Sequence, residues 1–345
     1  PSQVEPSLRR KVEKTFIEAI EALGIRNGAA KGDLKWNGRE TMVGEVAARL
    51  SGGYMSGWTF PYATGMDLVG TAMKISLGIS VGEMHIEESK VSAERAFISI
   101  PGVVETIYGV DEVRRVEGVK NVFVRVAPGD EVRFPMNNVQ KCGNVIASRG
   151  RRESACEAAE SAVRRIFIRL QPGNERTARF LFGGREERTR DAFELNIPEN
   201  SRALGEMEPF RFGGAPHPNG AEGRLGDAEI RIASLPKLEI EDGIDWHGLA
   251  LKDAFEWTLS MLDIGVVEEE ENGGEHGGNA LVLGSVFWTA FLHGGPQGAV
   301  WLVDTLRTRL RENGDGVEWM EKLMDGDVYS GEEPRESRAN SGTKG

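Results

Sequence analysis

Apolar residues recur at helical spacing near the start of the chain: Leu8, Val12, Phe16, Ile20 and Leu23 form one stripe over residues 5–23, with Ser7 as a candidate cap and Gly24 as the stop. The period then shortens. Residues 30–36 and 42–48 read as strands joined through Asn37-Gly38, a strong hairpin signal. Residues 67–77 return to a helical pattern that ends at Gly78. Short strands follow at 95–100, 103–108 and 119–126, then a Pro128-Gly129-Asp130 turn and a strand over 144–147. Residues 153–169 read as a helix with Ala155, Ala158, Ala159, Ala162, Val163 and Ile166 as its apolar stripe.

The texture changes around Gln171-Pro172-Gly173. Residues 173–245 are rich in Gly, Arg, Glu and Pro and show weak periodicity. Helices are expected at 247–262 and 299–313, with an apolar segment over 280–292 between them. Residues 331–345 have the composition of a disordered tail. The pattern predicts an α+β chain: an antiparallel sheet with flanking helices over residues 1–172, a mainly helical region over 173–330, and the tail.

The chain has 345 residues, 39% hydrophobic and 28% charged, enough for one large or two ordinary domains. A net charge of −12 argues against nucleic acid or an anionic membrane as the main partner, but leaves room for small anionic ligands. Cys142 and Cys156 give neither a disulfide framework nor metal spacing, so reduced thiols and a cytoplasmic setting are expected. No apolar run approaches the roughly 20 residues that span a bilayer, and no signal peptide opens the chain.

The chemistry concentrates on the hairpin. Its second arm runs into GEVAARLSGG (residues 44–53), which carries Glu45 and Arg49 toward Gly52 and Gly53. Asp33 lies on the other arm. In an antiparallel pair it faces Glu45 only if the connection is centred on residue 39; a tight two-residue Asn37-Gly38 turn puts the two carboxylates on opposite faces. Facing carboxylates have Cβ atoms about 4.5–5.5 Å apart and repel unless a divalent cation sits between them. Mg²⁺ suits such a pair, because it takes hard oxygen ligands and commonly shares one or two carboxylates with substrate phosphates. Arg49 would share that face if the strand ran on, and could clamp phosphate oxygens. The amides around Ser51-Gly52-Gly53 could approach an anion closely. The same residues also suit a hairpin's ordinary wet face, and spacing alone leaves both readings open.

The order of motifs narrows the choice. Residues 18–69 (EAIEALGIRNGAAKGDLKWNGRETMVGEVAARLSGGYMSGWTFPYATGMDLV) closely resemble the C-terminal subdomain of ATP-grasp ligases: a helix, an ALGI..G turn, an acidic strand, a strand of the form EIxxRxGG, and a TGxDL helix start, here Thr64-Gly65-Met66-Asp67-Leu68. The likeness continues through Ala127-Pro128-Gly129-Asp130, the strand over residues 143–148 and the helix over 153–169, and so covers about residues 1–172. The resemblance implies a ligase that phosphorylates a carboxylate with ATP and passes the acylphosphate to an amine or similar nucleophile. It further implies that Asp33 and Glu45 hold Mg²⁺ (or Mn²⁺) and that Arg49 contacts the transferring phosphate; Gly52 and Gly53, whose amides can approach an anion, are the accompanying candidates for binding the nucleotide.

Two positions depart from the family pattern. Ala47 stands where many members have a metal-holding asparagine, and Asp33 where glutamate is commoner. The family's N-terminal half, which grips adenine, has no counterpart here. With Pro1 in place of methionine, the chain is expected to be the C-terminal part of a longer protein that binds ATP poorly on its own. A degenerate, non-catalytic module acting in assembly or regulation is the alternative; self-association is compatible with either.

Other conspicuous residues are expected to be structural. His85, His217, His247, His276 and His293 are scattered without metal spacing. Gly294-Gly295-Pro296-Gln297-Gly298 reads as a turn, with anion binding the less favoured use. Trp246, Trp257, Trp288, Trp301 and Trp319 are expected in a core or interface. Cys142 lacks a neighbouring base, and Glu268 to Glu271 read as a solvated loop.

Overall fold

A computed structural model describes residues 4–183, 190–193, 202, 204–213, 228–234, 243–267 and 280–326. His217, His276, Glu268 to Glu271 and the tail lie outside the described residues. In chain order the elements begin with α1 (Pro6–Ala22), β1 (Lys31–Trp36), β2 (Thr41–Ala47), a π-helical turn (Met55–Thr59), α2 (Phe60–Thr64), α3 (Leu68–Ser76) and β3 (Val91–Phe97). Then come β4 (Gly102–Tyr108), α4 (Val110–Val113), β5 (Val119–Val124), β6 (Glu131–Val132), β7 (Gly143–Arg149), α5 (Arg152–Arg164), β8 (Phe167–Leu170) and α6 (Glu175–Phe182). The rest are β9 (Phe210–Gly213), β10 (Glu229–Ala233), α7 (Leu251–Leu262), β11 (Val266–Val267), β12 (Ala280–Leu283), α8 (Ser285–Glu312) and α9 (Gly316–Asp325).

Contacts gather these elements into two compact units that interleave along the chain. The first takes the chain through Phe97, then Gly109–Arg125 and Gly143–Ile166. The second takes Ile98–Tyr108, Val126–Cys142 and the described residues from Phe167 onward. Strands β4, β6 and β8, all N-terminal to residue 172, therefore belong with the C-terminal region.

In the first unit, α1 begins at Pro6, whose missing N–H costs nothing at a helix start; Glu5, not Ser7, stands at the cap position. Gly24, at φ 68°, ends the helix as expected, with the Ile25 N–H donating back to the Ile20 carbonyl. One face of the β1–β2 hairpin lies under α1. A Cβ at Gly32 would sit 2.4 Å from the Phe16 ring, so this approach requires glycine. Helix α3 starts at Asp67, whose Oδ1 accepts the Gly70 N–H at 2.8 Å. Strands β3, β7 and β5 form an antiparallel sheet in that order. Helix α5 packs Ala155 and Ala159 onto Ala93 and Ala147, four small buried side chains. The helix expected over 153–169 stops at Arg164, because Phe167, Ile168 and Leu170 are buried in a segment that pairs with β4 as a strand.

The second unit holds the antiparallel sheet β6-β4-β8 and a mixed sheet ordered β11-β10-β12-β9. In the latter, β10 runs parallel to β11 and β12, and β9 is antiparallel to β12. The region is helical as expected, but this mixed sheet is an addition. Its β12 is four residues long and buried throughout, so it carries no alternation to read. Helix α8 joins the apolar segment and the expected 299–313 helix into one element, kinked at Gly295 (φ 63°, ψ −159°) before Pro296. The expected turn over 294–298 is thus a kink inside a buried helix. Gly294 and Gly298 are packing residues: a Cβ on them would lie 2.4 Å and 2.8 Å from Leu181 Cδ2.

The tryptophans serve the interior of this unit. Trp288 meets Phe255 and Phe291, Trp301 meets Trp319, Trp257 stands edge-on to Phe167, and Trp246 packs on Phe134. Arg169 grips Asp304 with a two-pronged fork of 2.7 Å and 2.6 Å, which pushes the arginine pKa further above its ordinary value.

Candidate functional site

The hairpin supplies the site. Its connection is four residues long, Asn37 to Glu40, and wider than the Asn37-Gly38 dipeptide alone suggests. Asn37 Oδ1 accepts the N–H groups of Arg39 and Glu40, both at 2.9 Å, and Gly38 takes φ 93°. From that loop the register runs Trp36 opposite Thr41, Lys35 opposite Met42 and Leu34 opposite Val43. Gly44 is then skipped, and Asp33 falls opposite Glu45.

This bulge decides which way Glu45 points. Without it, Asp33 would oppose Gly44, and Glu45 would oppose Gly32 on the face covered by α1. With the extra residue, Glu45 joins Asp33 on the open face. A side chain at Gly44 would bring a Cβ within 3.1 Å of the Asp33 carbonyl oxygen, so glycine eases the bulge.

Strand β2 ends at Ala47, so the extended run that would align Arg49 with Glu45 is absent. A bend does the job instead. The Arg49 N–H donates to the Ala47 carbonyl at 2.9 Å, and Arg49 Nη2 lies 3.9 Å from Glu45 Oε1. Arg49 Nη1 donates to the Leu50 carbonyl at 3.0 Å. Beyond it, Gly53 needs its φ of 65°, whereas Gly52 has no atom within 4 Å of where a Cβ would stand. The following segment is pinned to the sheet. Tyr54 stacks on Phe123 at 4.4 Å, Trp58 meets the same ring edge-on, and Ser148 Oγ donates to the Tyr62 carbonyl.

Lys31 is the residue that sequence reasoning missed. It shares the open face with Asp33 and lies opposite Ala47. Its Nζ donates to Asp33 Oδ2 at 2.5 Å and to Glu45 Oε1 at 3.4 Å. The bond to Asp33, partly offset by desolvation and reinforced by the charges of both carboxylates, raises the ammonium above its ordinary pKa. Strand alternation already put residues 31 and 33 on one face, so the signal was present.

Near the Arg49 end lies a cavity of about 490 Å³, lined by Ala30, Leu50, Ser51, Thr59, Leu68 and Ile75 among others. The hairpin carboxylates offer the hard oxygen donors that Mg²⁺ takes. Among the described residues no three or more His, Cys, Asp or Glu side chains converge, so such an ion would draw the rest of its shell from water and phosphate oxygens. Buried Cys142 has its thiol pushed up to about 12 by desolvation, which fits its dismissal as a nucleophile. His247 is pushed down by burial. Among the described residues no helix is long and apolar enough to cross a membrane.

Residues 96–171, from the end of β3 to just past β8, match the family model for L-amino acid ligase C-terminal domain 2. Among curated proteins, the uncharacterized protein y4rH of Sinorhizobium fredii (strain NBRC 101917 / NGR234) is 25% identical over 153 residues, covering 44% of this chain and 32% of that protein. The L-amino acid ligase of Bacillus licheniformis is similar in structure at a TM-score of 0.45 and 23% identity, over 50% of this chain and 43% of its own. The biotin carboxylase domain of Hydrogenobacter thermophilus 2-oxoglutarate carboxylase, solved with MgADP, ADP and bicarbonate, gives 0.39 and 18%, over 49% and 38%. The chain spans about a third of the curated relative and less than half of each of these two structures. The family match and the motif order make the chain similar to ATP-grasp carboxylate–amine ligases over part of its length.

Proposed function

We propose that the chain is the C-terminal part of an ATP-dependent, Mg²⁺-requiring ligase that activates a small carboxylate as an acylphosphate for attack by an amine or similar nucleophile. One observation carries the reading: the bulge at Gly44 turns Glu45 onto the open face opposite Asp33, with Arg49 3.9 Å away. In this reading residues 1–172 hold the catalytic floor, and the enzyme works in the cytoplasm.

When bound, Mg²⁺ (or Mn²⁺) would neutralise triphosphate oxygens and so favour phosphoryl transfer. Asp33 and Glu45 offer hard oxygens from one rigid hairpin. Arg49, anchored through Leu50 and more than half exposed, directs its remaining N–H donors at phosphate. Gly52, unobstructed, and Gly53, in its left-handed conformation, let backbone amides come close to an anion. The residues work by fixed charge placed where charge develops, with no covalent step on the protein.

Glu45→Gln in the full-length protein tests this. Glu45 is about half exposed and its pair with Arg49 is long, so the fold should lose less than about 1 kcal/mol. ATP turnover should fall about 100-fold or more. Turnover at the wild-type rate would remove Glu45 from the site.

A further inference from the structure

The open face of the hairpin already contains its own cation. Lys31 Nζ stands 2.5 Å from Asp33 Oδ2 and 3.4 Å from Glu45 Oε1, so it occupies the space between the two carboxylates. It is not a loosely waving surface lysine: its side chain is 19% exposed, against 62% for Asp33 and 54% for Glu45. The register explains how the stem fits. Lys31 lies directly opposite Ala47, whose methyl group leaves room beside it. A longer side chain at residue 47 would compete for that space. With Arg49 also near Glu45, two cationic side chains contact the two carboxylates, and these four charges balance before any metal arrives.

We propose that Lys31 is a resident counter-cation that keeps a bare divalent ion out of the Asp33–Glu45 pair, so that the ion enters only in company with phosphate groups able to draw the ammonium away. This rests on reading the two carboxylates as metal ligands and adds a selectivity device to them. The physical basis is direct competition: an ammonium and a divalent cation seek the same oxygens, and a bare ion must displace a tethered charge without gaining a ligand in return. A phosphate-bound ion brings oxygens that the ammonium can contact instead. Lys31 is thus a positioning and selectivity residue, and Ala47 the small partner that makes room for it.

The test is Mn²⁺ binding to the 345-residue chain, followed by the electron paramagnetic resonance signal of free Mn²⁺ with no nucleotide present. The variants are Lys31→Met, Lys31→Arg, and Lys31→Met combined with Glu45→Gln, each checked for folding by circular dichroism. Lys31→Met should bind Mn²⁺ at least tenfold more tightly than the wild type. Lys31→Arg, which keeps the charge, should stay close to the wild type, and the double variant should lose the gain. If wild type and Lys31→Met bind Mn²⁺ equally tightly through Glu45, the counter-cation proposal fails while the metal-ligand reading survives. If no variant binds Mn²⁺ at the hairpin, both fail.

Discussion

Gly298→Ala is the sharpest test of how the second unit is packed. A methyl group at this position would lie 2.4 Å from the Ala290 carbonyl oxygen and 2.8 Å from Leu181 Cδ2. Both are below 3.0 Å, a distance real Cβ atoms essentially never show, and the nearer obstacle is backbone that no rotamer change can move aside. Leu181 is fully buried and faces Gly294 as well, so it has little space into which to retreat. Forcing a methyl into such a core costs roughly 1–3 kcal/mol or more. Replacing glycine by alanine in a helix returns about 1 kcal/mol. With the clash toward the upper end of its range, the expected net loss is about 2 kcal/mol. For a unit of this size that corresponds to a fall in Tm of roughly 4–8 °C. Differential scanning calorimetry on wild type and variant measures it directly. An unchanged or higher Tm would mean that Gly298 is not a packing residue and that the notch around Leu181 is wrongly drawn.

Two further outcomes are expected. Gly52→Ala meets nothing within 4 Å, so thermal stability should stay within about 0.5 kcal/mol of wild type while ATP turnover in the full-length protein drops; unchanged turnover would take the Gly52 backbone out of anion binding. The Cys142 thiol is raised from 9.0 to about 12 by burial, so between those values the folded chain keeps a proton that the unfolded chain releases. Stability from this group is therefore intact below about pH 9 and declines as pH rises toward 12, by about 1–2 kcal/mol near pH 10.5. Urea unfolding of wild type and Cys142→Ala across that window should show a shallower decline in the variant, and identical slopes would refute the assignment.

Local signals settled much of this chain. Gly24 and Gly78 stop helices because they supply positive φ, Asp67 caps α3 because its carboxylate can reach the Gly70 amide, and Asn37 organises the hairpin loop through its own side chain. Each effect acts within a few residues, so the sequence states it directly. The same holds for the order of motifs from Asp33 to the TGMDL start of α3.

What the sequence left open depends on partners distant in the chain. Residues 167–170 continue the helical stripe of α5 on paper, yet their edge is claimed by β4, some sixty residues earlier. The glycines at 294 and 298 look like turn residues until Leu181 is set beside them. At the hairpin the open question was which face Glu45 takes, and no propensity answers it. The skipped residue at Gly44 and the packing of Phe16 on Gly32 decide it, because an extended strand flips every side chain for each residue of register. From that one shift come the facing carboxylates and the lysine between them. Composition determined that this chain could carry such chemistry, and cross-strand register determined where it stands.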